Sequence, residues 1–74
     1  MCYYYIFKLR YVKGKSHIIK YYLVAFNEIK DFINYLEKKH KNNYTIENIF
    51  NYHLFKNNFI IDKFWKEGKD NYEL

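Results

Sequence analysis

What this chain of 74 residues has little of sets the first limits on it. Cys2 is its single cysteine, so neither an intramolecular disulfide nor a four-thiolate zinc site can form, and the composition suits a reducing compartment. Gly14 and Gly68 stand alone, which excludes a glycine-rich phosphate cradle. Arg10 is the one arginine beside twelve lysines, and this counts against specific reading of a DNA major groove, where a bidentate arginine is the commonest device. Lys8 and Arg10 break the N-terminal apolar stretch before it resembles a signal peptide, and no run approaches the ~18 apolar residues of a membrane span. A soluble, cytoplasmic protein is expected.

Aromatic mass is what the chain has in excess. Eighteen residues are Phe, Tyr or Trp, each able to bury roughly 150–250 Å². At this length only ~60% of the unfolded surface can be buried, so these rings must compensate for a small core. Ten of them are Tyr, whose hydroxyls favour half-buried positions and interfaces. The net charge of +5 favours polyanionic partners: nucleic acid, an acidic protein face or an anionic membrane surface. The richness in Lys, Asn, Ile, Tyr and Phe is also the drift of an AT-rich genome, which accounts for part of the lysine excess.

The pattern predicts one α+β domain over residues 1–74. Tyr3 to Val12 and His17 to Phe26 are aromatic and β-branched runs separated by Lys13-Gly14-Lys15-Ser16, a hairpin whose tight loop centres on Gly14 and Lys15 and pairs Val12 with His17. That register places Tyr3, Tyr5, Phe7, Leu9 and Tyr11 on one face with Ile18, Lys20, Tyr22, Val24 and Phe26. Tyr4, Ile6, Lys8, Arg10 and Val12 share the other with His17, Ile19, Tyr21, Leu23 and Ala25. Lys20 is a misfit on its face, explained by a position beyond the helix edge or by a register one residue out.

Asn27 is the expected N-cap of a helix over residues 28–41. Ile29, Phe32, Ile33 and Leu36 form its apolar side, Glu28 and Asp31 begin it, Lys38 to Lys41 end it, and Asn42-Asn43 stop it. Residues 44–55 read as a strand with Tyr44, Ile46, Phe50, Tyr52 and Leu54 on one side, in preference to a helix begun at Thr45. Asn57-Asn58 makes a turn or an N-cap. Phe59 to Lys66 reads as a short helix closed by Gly68, with a fourth strand as the alternative, and residues 69–74 as a frayed tail. The expected architecture is a small antiparallel sheet with one packed helix, β-β-α-β plus a short C-terminal helix or fourth strand.

Chemistry has few footholds. His17, His40 and His53 match no ligand spacing, so no metal and no cofactor are expected. Cys2 and Ser16 are the conceivable nucleophiles, and Ser16 is ordinary turn chemistry. Gly14-Lys15-Ser16-His17 is similar to the Gly-Ser-His segment of HicA-type mRNA interferase toxins, a resemblance that implies a ribonuclease with His17 catalytic. Lys15 interrupts the motif, and a strand stands where that family has its leading helix. Lys38-Lys39-His40-Lys41 is either an anion-binding cluster or compensation of the helix dipole.

The second hairpin face carries more. Tyr4, Lys8, Arg10, His17 and Tyr21, extended by Lys13 and Lys15, interleave rings with cations. Rings that stack bases at ~1–3 kcal/mol each, with cations along the phosphates, bind single strands. The same set suits a Tyr-rich interface against an acidic protein, or it lies covered by the segment with Phe64 and Trp65 while Lys8 and Arg10 reach outward. The expected function is therefore a non-catalytic protein-binding module, in the setting of a phage or mobile-element inhibitor of a host nucleic-acid machine such as an anti-CRISPR protein. A single-stranded nucleic-acid-binding module and the ribonuclease are the alternatives, and a homodimer would enlarge the small core.

Overall fold

The computed structural model describes residues 3–66 and 68–71, without the side chains of residues 70 and 71. Strands β1 (Tyr4–Lys13) and β2 (Ser16–Ala25) form the hairpin in the expected register, Val12 opposite His17. Gly14 has φ of +65° and Lys15 does not follow it there, the type II′ arrangement that matches the twist of the flanking strands. Because Lys13 and Ser16 close that turn directly, each residue's face is fixed along the whole hairpin. The register needs no slip to accommodate Lys20. It lies opposite Leu9, on a part of β2 that, among the described residues, no neighbouring strand borders on the outer side.

A tight 3-10 turn over Phe26–Glu28 leads from β2 into helix α1 (Ile29–His40). The expected N-cap at Asn27 is corrected by this turn: Asn27 lies inside it, and the cap position falls on Glu28, which makes no side-chain capping bond. The helix stop also moves. Asn43 is held by its carbonyl, which accepts the Val12 N–H at 2.9 Å, so the chain must reverse one residue earlier than the Asn pair, at Lys41 (φ 54°, ψ −122°).

Three more elements complete the sheet and its cover. Strand β3 (Tyr44–Asn51) pairs antiparallel with β1, the single turn α2 (Tyr52–Phe55) follows, and β4 (Lys63–Lys66) and β5 (Lys69–Asn71) complete the order β3-β1-β2-β4-β5. β4 runs parallel to β2, so the sheet is mixed. The strand expected over 44–55 thus ends at Asn51, with Tyr52 and Leu54 in α2. The fourth strand, not the short helix, is what residues 63–66 form, because backbone pairing with Tyr22–Val24 outweighs a weak local apolar cluster. Gly68 (φ +71°) lies between β4 and β5 instead of closing a helix. Of the expected frayed tail, Lys69–Asn71 is a strand and residues 72–74 lie outside those described.

α1 packs across the first face. Phe32 and Leu36 are fully buried against Phe7, Leu9, Tyr22, Val24 and Trp65, with Tyr5, Tyr11, Ile29, Tyr35, Tyr44 and Ile46 around them. The Phe32 ring lies 5.1 Å from both Phe7 and Tyr22 and 5.7 Å from Trp65, the separations at which edge-to-face attraction adds to burial. Among the described residues no helix is long and apolar enough to cross a membrane.

The backbone at Lys41 costs a residue with a side chain about 1–3 kcal/mol. Lys41→Gly relieves it while loosening the unfolded chain and removing a favourable cation from the helix end. The net expectation is about 1 kcal/mol of added stability and a melting midpoint higher by roughly 4–8 °C. A midpoint equal to or below that of the wild type in a circular-dichroism melt would show that the turn stores no such strain.

Candidate functional site

The second face is covered over one half and open over the other. Ile6 and Leu23 are buried there although α1 lies on the opposite side of the sheet. Their cover is residues 52–62. Tyr52 meets the Tyr4 ring at 6.3 Å, Phe55 and Phe59 meet Phe50 at 5.1 and 4.6 Å, and Phe59 stacks on Tyr21 at 4.8 Å. Phe64 flanks Tyr4 from within β4, while Trp65 turns to the helix side, so these two do not themselves lie over the face as a helix would. The cover is held by two local bonds and one clamp to β2. Asn51 accepts from the Leu54 N–H and starts α2, Asn58 donates to the Phe55 carbonyl, and Asp62 clamps β2 by accepting the Tyr21 N–H at 2.8 Å and donating to the Tyr21 carbonyl at 2.9 Å.

Lys8 and Arg10 meet a carboxylate that the sequence pattern hides. β3 carries a bulge: Leu9 pairs with Ile46 and Lys8 with Asn48, leaving Glu47 as the extra residue. Its carboxylate lies 2.8 Å from Arg10 Nη2 and 3.5 Å from Lys8 Nζ. The bulge also exchanges the faces of β3. Tyr44 and Ile46 pack toward α1, but Phe50 packs on the opposite face, which corrects the expectation that they share one side. These ion pairs are partly exposed and worth ~0–1 kcal/mol, so they set charge placement more than stability.

Of the seven residues expected to form a site, Tyr4 and Tyr21 are half-buried beneath other rings, and Lys8 and Arg10 share Glu47. Lys13, Lys15 and His17 are exposed at the hairpin tip. What remains open is the distal half, with Val12 41% and Ile19 42% exposed and Ile60, 86% exposed, lining the same shallow hollow as Ile19. Ile60 was invisible to a reading that placed it in a helix. Val12 and Ile19 were assigned to this face by alternation, and only the extent of the cover was missing.

A second convergence comes from the Val12–Asn43 bond, which brings the end of α1 against the hairpin tip: Lys13 and Lys39 line one hollow of about 270 Å³ with His40 and Tyr11. Lys13 of the tip and Lys39 of the helix end therefore share one hollow. The His40 ring stacks on Tyr11 at 4.3 Å, with Nε2 buried and without a hydrogen-bond partner. Burial first, and the Lys39 charge second, lower its pKa from the ordinary 6.5. Tyr44 beside it donates to Glu37, and this bond, then burial, then the Glu37 charge raise the tyrosine pKa.

His17 lines a hollow of about 170 Å³ with Arg10, Asn42, Asn43, Tyr44 and Thr45 nearby, none of them a carboxylate or a second imidazole. Among the described residues no three His, Cys, Asp or Glu side chains gather as a metal site, and Cys2 lies outside those residues. No protein-family model, curated protein or solved structure matches the chain.

The His40 geometry fixes a sign for pH dependence. Its folded pKa lies below 6.5, so the unfolded chain takes up the proton first, and the stability present above pH 6.5 is lost as pH falls through the depressed folded value. His40→Phe keeps a ring on Tyr11 without titrating. Between about pH 7.5 and 5 the wild type should lose more melting temperature than this variant. Identical pH profiles would show that the imidazole is not held neutral by its surroundings.

Proposed function

We propose that this chain is a non-catalytic protein-binding module whose contact surface is the open distal half of the second hairpin face. The observation that carries this reading is the composition of that half: three exposed aliphatic side chains, Val12, Ile19 and Ile60, with Arg10 and His17 on the same face, Lys15 at the tip and Lys13 next to Val12 toward the helix side. An apolar centre flanked by charge is the anatomy of a protein interface, and the sign of that charge selects an acidic partner. Arg10, Lys13 and Lys15 would steer encounter, while the aliphatic centre would supply most of the binding energy. The setting we propose for such a surface is an inhibitor of a host nucleic-acid machine, of the anti-CRISPR kind, acting by occlusion.

Single-stranded nucleic acid fits this surface less well. Its binding draws on free ring faces as well as cations, and of the rings that would serve, Tyr21 already stacks on Phe59 while Tyr4 packs edgewise against Tyr52 and tilted against Phe64. The ribonuclease reading has His17 exposed, but among the described residues lining its hollow none is a carboxylate or second imidazole to share proton transfer.

The test is affinity capture from host lysate with and without nuclease, followed by mass spectrometry and titration of the captured protein. A nuclease-resistant complex is expected, weakened about tenfold or more by Ile60→Asp and by the Lys13→Glu, Lys15→Glu pair. Retention of oligonucleotide alone, with steep loss in salt and no protein captured, would replace this reading with the nucleic-acid one.

A further inference from the structure

The backbone of β2 offers more than side chains. Along β2, the pairing with β4 covers only Tyr22–Val24, and Asp62 serves Tyr21, its carboxylate standing in for a strand carbonyl at the Tyr21 N–H. The chain then leaves the sheet edge, since Phe59 lies over Tyr21 and Phe50 on the second face. Tyr21 thus marks the residues of β2 whose N–H and C=O point away from β1. In an antiparallel pair that direction repeats every second residue, so those of Ile19 and His17 point the same way. The register agrees from the other side: Val12, opposite His17, sends its N–H away from β2 to Asn43. Among the described residues no backbone group reaches the outer side of β2 between Ser16 and Lys20.

We propose that this edge, Ser16–Lys20, is a strand-addition site for an extended acidic and aliphatic segment of a partner protein. The proposal rests on the protein-binding reading above and specifies its mode. An added strand continues the line of β4, exchanges main-chain hydrogen bonds with Ile19 and His17, and seats alternate side chains on the second face. There the hollow bounded by Ile19, Tyr21, Phe59 and Ile60 takes an aliphatic side chain. The charge that selects the segment is unusually one-sided: residues 1–27 contain no Asp or Glu, and Lys13, Lys15 and Lys20 surround the edge. The described carboxylate at this edge, Asp62, is already engaged with Tyr21.

The probe is a synthetic peptide of alternating glutamate and valine, about eight residues long to match a short strand, with a counterpart N-methylated at alternate backbone nitrogens. Titration calorimetry and amide exchange are read on the wild type, Ile19→Ala and Ile19→Pro. Proline removes an N–H that the hairpin ladder does not use, whereas alanine removes only the side chain. The peptide should bind the wild type and slow exchange at the His17 and Ile19 amides. Ile19→Pro should bind about tenfold or more weakly than Ile19→Ala, and N-methylation should weaken binding to the unaltered protein comparably. Should Ile19→Pro fail to fold, the N-methylated peptide still decides the matter. Absence of binding, or binding indifferent to proline and N-methylation, overturns strand addition. So does a wild-type dimer in sedimentation that Ile19→Pro dissolves, since a second copy would then occupy the edge. A captured acidic partner that still depends on Lys13, Lys15 and Ile60 would leave the protein-binding reading standing without this edge.

Discussion

Everything in this molecule depends on the parity imposed by the hairpin turn. Gly14 accepts a positive φ, Lys13 closes directly on Ser16, and from that pair outward each side chain is committed to one of two faces. A slip of one residue would send Phe7, Leu9, Tyr22 and Val24 away from the helix and bring Lys8, Arg10 and Tyr21 beneath it. Burying two unpaired cations costs several kcal/mol each, comparable with the whole stability of so small a domain at about 0.05–0.15 kcal/mol per residue. The register is therefore enforced twice, by turn geometry and by the penalty for the alternative.

One α-helix can cover only one face of a sheet, and this chain has a second face with Ile6 and Leu23 on it. The solution is local. The bulge at Glu47 turns β3 so that Phe50 faces the second side, where it becomes the base on which Phe55 and Phe59 rest. The same bulge places a carboxylate between Lys8 and Arg10. One inserted residue thus reverses the strand's sidedness and balances charge at the border between the covered and open halves.

These origins explain what could be read from the sequence. The hairpin, its register, the two face lists and the helix were legible because each is set by short-range rules: a glycine with positive φ, period-two alternation, apolar spacing along one helix side. The bulge was not, since nothing at Glu47 in sequence distinguishes it from its neighbours, and the error it introduces carries to every later residue of β3. Residues 59–66 were misjudged for a related reason. Ile60, Ile61, Phe64 and Trp65 cluster on a helical projection, but Trp65 is buried by Phe32 and Tyr35, far away in the chain, and only a strand beside β2 presents it to them. Of the site, the cations at the tip were legible, whereas the withdrawal of Tyr4 and Tyr21 beneath other rings depends on contacts that the pattern does not encode.

The open half then poses a choice between protection and recognition. Lysines along a free strand edge are a common defence against unwanted pairing, and Lys13, Lys15 and Lys20 would serve that purpose by repelling other copies of this basic chain. Defence alone does not call for Ile19 and Ile60 to be exposed beside the same edge, where polar residues would protect better and cost nothing in the core. On the proposed strand-addition reading, positive charge that repels like copies would also attract a strand bearing glutamate or aspartate, so one device would serve both ends. Among the described residues, aliphatic contact, outward-pointing backbone groups and lysines lie together at this edge, and on the proposed reading that combination would make it selective, because an incoming strand would have to satisfy all three before its ordering entropy is offset.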